Sequence, residues 1–368
     1  MIYVFIVFLI FLVMGVPVAF AIGASGMVFF LLNTHFPLTH IAQLPLTQVQ
    51  SISMLAIPLF ILAGNLMNAG KITDKIFSFA KELVGWIPGG LGHANVVASI
   101  IFAGMSGSAA ADAGGLGTIE MEAMTKNGYD DDFSGAVTAA SSVIGPIFPP
   151  SIPLIIYGAT ASVSVAKLFM GGVLPGLLMG VALMVLVFLF AIKYKFERHP
   201  FHVAALIRQF FGSILSLITP LIILAGFTTG WFTPTEASSI AVAYSLIIAL
   251  IVYRTMDWKT FKHCLLESAI TSANTLFIIG TSTLFTYVLV KEGASTAIAN
   301  FILGISQNPA VILLIINVVL LILGMFMEPG AILTLMLPVL LPIIKSLNID
   351  LVHFGVVMVL NLMIGQVT

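Results

Sequence analysis

Two stretches hold the residues best placed to do chemistry. "FAGMSGSAAADAGGLG", residues 102–117, gathers Gly104, Ser106, Gly107, Ser108 and Asp112 between apolar flanks. "SSVIGPIFPPSIP", Ser141 to Pro153, sets Gly145 among Pro146, Pro149, Pro150 and Pro153. Glycine lets backbone approach closely, and proline removes an N–H donor and breaks a helix, so carbonyl oxygens lose their helical partners. Carbonyl and small hydroxyl oxygens are a ligand set for a cation. A simple proline kink, with Ala109 to Ala111 as helix-packing residues, is the plain alternative. "GMSG" also fits G-x-S-G, the setting of a nucleophilic serine. That chemistry needs a histidine base within hydrogen-bond reach, and His263 and His353 are the only downstream candidates outside the basic loop.

The elements that must position these residues lie in a membrane. The chain has 60% hydrophobic residues, 8% charged residues and a mean hydropathy of +1.15, against about a quarter charged in soluble domains. Apolar segments long enough to cross a bilayer of about 30 Å follow one another throughout. The net charge is −1 and the fourteen Lys and Arg are scattered, which excludes a nucleic-acid footprint. Cys264 is the single cysteine, so no intrachain disulfide or multi-cysteine metal site forms. Met1 to Leu32 lacks a basic start and a cleavage site, and reads as retained helix interrupted near Gly15 and Pro17.

In "GKITDKIFSFAKELVGW", Ile72, Ile76, Phe79, Leu83 and Trp86 recur at helical spacing among charged residues. This is an amphipathic helix, at the membrane surface or as a solvated connector. Basic residues gather at Lys193, Lys195, Arg198 and Arg208 and again at Arg254, Lys259 and Lys262, which makes both loops cytoplasmic. The uncharged loop from Asn33 to Gln50 suits the outer face. His35, His40, His199 and His202 read as loop residues. Thr233 or Thr235 with Glu236 begins a helix as its cap.

Self-similarity organises the whole. A shift of 220 residues brings Gly104 onto Gly324, Asp130 onto Asp350, Gly135 onto Gly355 and "VIGPIF" onto "MIGQVT". Gly70 corresponds to Gly293, and Pro17 to Pro234. Duplicated halves with helices broken at matching positions are the sequence pattern of a secondary transporter, because lipid cannot satisfy the freed backbone. "LGMFMEPGAIL", with Glu328, Pro329 and Gly330, is the counterpart of the serine-rich tip. The duplicate of Ser106 is Phe326, which argues against the intramembrane-protease reading of G-x-S-G. "GNLMNAGKI" misses the phosphate-loop spacing and has Ile72 after its lysine, so ATP binding is not expected. A passive channel fits the composition but not paired, occluding hairpins.

"GVPVAFAIG", "IPLFILAGNLM", "GMSGSAAADAGGLGTI", "GPIFPPSIPLIIYG", "GWFTPTEASSIAV" and "LGMFMEPGAILTLMLPVLLPI" together resemble the large membrane subunit of tripartite ATP-independent periplasmic (TRAP) transporters. The resemblance implies an all-α polytopic protein of two inverted repeats, each with a re-entrant hairpin and an interrupted helix, moving as an elevator. The first repeat is expected over 1–208, with its hairpin near 93–124 and broken helix near 133–165. The second is expected over 209–368, with its hairpin near 309–344 and broken helix from 350. The family pattern continues beyond Thr368 with two prolines and further helix, so a truncated C-terminus is expected.

The implied function is sodium-coupled import of a carboxylate-bearing solute, such as sialic acid or a dicarboxylate, across the bacterial inner membrane. The implied partners are a small four-helix membrane subunit and a periplasmic substrate-binding protein, and sodium is the only cofactor. One sodium site is expected around Gly104, Ser106, Gly145, Pro149 and Pro150, and another around Gly324, Glu328, Gly365 and Thr368. Ser108, Asp112, Pro150 and Ser151 are the expected solute-binding residues. Asp112 could equally neutralise a cation or cap backbone amides.

Overall fold

The computed structural model describes residues 2–33, 35–196 and 200–368. Arg198 and His199 of the basic loop lie outside the described residues. All regular structure among the described residues is helical. The first apolar run divides into Ile2–Val13 and Val18–Leu32, parted where Gly15 takes a φ of 76° and Pro17 starts the next helix. Among the described residues, six helices are long and apolar enough to cross a membrane, so the chain is a multi-pass membrane protein. Val165–Tyr194 has 30 residues, about 45 Å at 1.5 Å per residue, more than the bilayer core requires. Its Leu174, Leu178, Val181 and Leu189 are exposed, an apolar face that lipid would cover.

The segment around the serine-rich tip is a helical hairpin. Gly90–Ser106 forms one arm; the tip is Gly107 and Ser108; Ala109–Ala111, a π-helical segment Asp112–Leu116 and Gly117–Lys126 run on as the other. Asp131–Ser142 follows and stops, the chain turns irregularly through Val143 to Ser151, and Ile152–Ala161 resumes. Four prolines within thirteen residues explain why no helix spans this stretch. Later in the chain Pro309–Gly324 and Pro329–Ser346 make a second hairpin around Met325 to Glu328, followed by Leu351–Gln366.

The largest core joins Ile152–Ala161, the start of Val165–Tyr194, both arms of the second hairpin and Leu351–Gln366 around the buried Tyr157, Phe169, Leu333 and Phe354. A second core seats Ile72–Val84 on the first hairpin. That helix buries Ile72, Ile76, Phe77, Ala80 and Val84, whereas Leu83 and Trp86 point outward. The amphipathic reading holds, but its apolar face is rotated: Phe77 replaces Leu83 because the first hairpin, not lipid alone, sets which side is covered. His40 opens a helix, His40–Val49, and stacks on Phe30 at 6.0 Å between ring centres, so it is not a loop residue. The cap at Thr233 is complete: Glu236 N donates to Thr233 Oγ1 at 3.3 Å, and Thr233 N donates to Glu236 Oε2 at 2.8 Å.

Candidate functional site

The first tip and the first break meet. Gly107 adopts a φ of 61°, and a Cβ there would stand 2.5 Å from the Pro150 carbonyl oxygen, so only glycine fits this turn. Ile152 N donates to the Gly107 carbonyl at 3.3 Å, tying the tip to the resumed helix. Gly104 lies near the Pro149 carbonyl, and Gly145 lies beside the Ser108 backbone. Ser106 is buried at 1% exposure and its hydroxyl has no hydrogen-bond partner. A polar atom left unpaired in an interior signals a missing partner such as a bound ion or water. The expected residues Gly104, Ser106, Gly145, Pro149 and Pro150 therefore share one neighbourhood, with backbone oxygens and one free hydroxyl in it.

The second tip uses different chemistry. A Cβ on Gly324 would stand 3.1 Å from the Gly365 Cα and 3.1 Å from the Leu362 carbonyl oxygen, so the hairpin arm and the last helix touch backbone to backbone. Glu328 caps its own helix by accepting from Ala331 N at 3.2 Å. Thr368 is exposed, and its hydroxyl donates to the Ile364 carbonyl at 2.7 Å.

A cavity of about 210 Å³ opens between the two tips. Its wall includes Ser108, Pro146, Thr271, Thr275, Glu328 and Gln366. Three helical starts border it, at Ala109, Ile152 and Pro329, capped by Ser108, Ser151 and Glu328, and a helix N-terminus presents a positive dipole end to an anion. Of the four expected solute residues, Ser108 reaches this wall. Pro150 and Ser151 lie behind it, and the Ser151 hydroxyl is consumed by accepting from Leu154 N at 3.1 Å and donating to the Pro146 carbonyl. Asp112 is 1% exposed inside the first hairpin, away from the cavity. Thr271, Thr275 and Gln366 escaped the sequence reading. Thr271 and Thr275 sit one turn apart on the unbroken helix Trp258–Lys291, where no glycine or proline marks them.

Comparison with known proteins identifies the family. The family described as "Tripartite ATP-independent periplasmic transporter, DctM component" matches residues 5–368. The sialic acid TRAP transporter large permease protein SiaM of Vibrio cholerae is 43% identical over 96% of this chain and 83% of its own length. The sialic acid TRAP transporter permease protein SiaT of Haemophilus influenzae is 42% identical over 99% of this chain, which spans 59% of that relative. The C4-dicarboxylate TRAP transporter large permease protein DctM of Pseudomonas aeruginosa is 37% identical over 95% and 82%. Matched along nearly its whole length, this chain belongs to the DctM-component family of tripartite ATP-independent periplasmic transporters, and is a transporter subunit rather than an enzyme.

Proposed function

We propose that this subunit imports a carboxylate-bearing solute, a sugar acid such as sialic acid or a dicarboxylate, coupled to sodium. The observation that carries the reading is the cavity between the hairpin tips, where helix starts from both halves meet hydroxyl and amide side chains. The positive dipole ends of these helices favour a carboxylate, and sodium ions at the tips offset its charge and that of Glu328. Solute reaches the subunit from a periplasmic binding protein, and a small four-helix membrane subunit holds the scaffold in the bacterial inner membrane. Ser106 Oγ has no hydrogen-bond partner, and His263 pairs instead with Glu267 at 3.2 Å, so a serine nucleophile has no base. The test is uptake into proteoliposomes holding both membrane subunits, with candidate binding proteins loaded with different acids outside. Uptake should require an inward sodium gradient and survive removal of ATP; equal uptake in sodium-free buffer would overturn sodium coupling.

We infer further that the two halves are inverted repeats that move as an elevator; the element order supports a duplication. Helix Ile52–Ala69's partner in the second half is Trp258–Lys291, each followed by a short helix, a hairpin and a helix at the break. Inverted copies predict that Thr125→Cys and Lys345→Cys, each in a Cys264→Ser background, react with an impermeant thiol reagent from opposite sides of the membrane. Labelling from one side would leave a parallel duplication.

A further inference from the structure

The other arm of the first hairpin buries two carboxylates that neither the cavity nor the tip sites use. Asp112 is 1% exposed and Glu120 is fully buried, and none of their four carboxylate oxygens has a hydrogen-bond partner. Both lie on the same arm of the hairpin, eight residues apart. Eight residues apart in a regular helix they would stand about 80° apart, at 100° per residue. The π-helical turn Asp112–Leu116 absorbs one residue and brings them to within about 20° of one face.

Neutral oxygens complete the surroundings. The Ser99 hydroxyl, on the facing arm and 1% exposed, has no hydrogen-bond partner. Asn68 packs on Gly115 between the two carboxylates in sequence, and its Oδ1 is also buried and unpartnered.

Among the described residues, no protein cation pairs with either carboxylate. Lys126 on the same arm is 2.5 Å from Glu122, on the exposed side. From Ile72–Val84, Asp74 and Lys75 line a surface cleft with Tyr253, and Lys81 and Glu82 line another with Trp86 and Phe201. From Gly90–Ser106, His93 Nε2 is 3.1 Å from the Pro88 carbonyl. Asp131 and Asp132 of the helix after the hairpin are exposed, and the buried Tyr129 hydroxyl is neutral and has no hydrogen-bond partner. Two carboxylates in a dry interior cannot both remain ionised without a counter-charge.

We propose that Asp112 and Glu120, with Ser99 and Asn68, form a monovalent-cation site in the arm of the first hairpin, separate from the hairpin tips. Its occupant is a proton carried by the carboxyl groups or a sodium ion held among these oxygens. The site goes beyond the solute-coupling reading, and its occupancy is read without solute.

The test is the melting temperature of the full chain in lipid nanodiscs, in sodium chloride and in choline chloride, from acidic to alkaline pH. In choline the wild type should lose stability as pH rises, because loss of the carboxyl protons leaves buried charge uncompensated. Asp112→Asn with Glu120→Gln should abolish that fall, while Ser106→Ala keeps it. If sodium is the occupant, sodium restores the wild type at alkaline pH and gives the double variant a smaller gain. If the occupant is a proton only, both proteins gain equally from sodium. Identical pH profiles for wild type and double variant in both salts overturn the proposal. Should the double variant not fold, infrared spectroscopy of the wild type decides. A band of buried protonated carboxyl that disappears on alkalinisation or on adding sodium supports the site. A band that never appears, or that neither treatment moves, overturns it.

Discussion

The two hairpins share an element order and differ in the chemistry of their tips. The first turns through left-handed Gly107 with a buried, unpartnered Ser106 hydroxyl and the carbonyls of Pro149 and Pro150 against it. The second turns through exposed Met325 and Phe326 and ends on the carboxylate of Glu328, with Gly324 pressed on Gly365. Side-chain charge is thus spent at one tip and backbone oxygen at the other. What both hairpins keep is close backbone approach between an arm and the chain at the break; the side chains around it differ.

The largest effect should come from breaking the first tip's geometry. Gly107→Val forces a branched side chain into a left-handed turn against the Pro150 carbonyl, a strain of about 1–3 kcal/mol, before any clash is counted. Initial sodium-driven uptake should fall by at least about tenfold, since 1.4 kcal/mol is a factor of ten. Phe326→Val, at the position equivalent to Ser106 and 78% exposed, should leave uptake within about twofold. Equal losses in the two variants would mean that the tips are mechanically alike.

The next comparison separates charge from a neutral ligand. Glu328→Gln keeps an oxygen to accept from Ala331 N, so the helix stays capped while the charge is lost. Interactions with a charged group are worth about 1.5–3 kcal/mol, against about 1 kcal/mol for neutral ones. The sodium concentration for half-maximal uptake should therefore rise about tenfold in Glu328→Gln and about fivefold in Ser106→Ala. The reverse order would assign the stronger ion contact to the first tip.

Much of this arrangement is legible in the sequence because glycine, proline and serine punctuate the turns. The helix ends at Ser106, Ser142 and Gly324 all fall where those residues accumulate. Glu120 is invisible for the opposite reason. "GTIEMEAMTK" reads as an ordinary solvated helix, and Glu122 with Lys126 confirms that for one side of it. Only burial against Gly90–Ser106 shows that the other side carries a charge into the interior. Thr271 and Thr275 hide similarly: their helix has no local signal, and their role at the cavity wall comes from contacts with segments far away in sequence. The misassigned face of Ile72–Val84 has the same cause, since periodicity gives a helix but not which neighbour covers it.

The smallest effect concerns how the two post-hairpin helices begin. Asp130 and Asp350 are equivalent under the 220-residue shift, and each is an N-cap with extended backbone. Asp350 Oδ1 accepts from His353 N at 2.8 Å, which satisfies one of the orphan donors of the first turn. The Asp130 side chain makes no cap bond; its backbone carbonyl instead accepts from Ser134 N at 2.9 Å and from the Ser134 hydroxyl at 2.8 Å. Asp131 and Asp132 also remain in that first turn to complement the helix dipole. Asp350→Ala should therefore cost about 1 kcal/mol of stability, as loss of an N-cap acceptor does, and Asp130→Ala only a few tenths. Denaturant unfolding in detergent micelles, followed by tryptophan fluorescence, reads the difference. If Asp130→Ala costs as much as Asp350→Ala, the two helices start by the same device and the contrast between the halves stops at the tips.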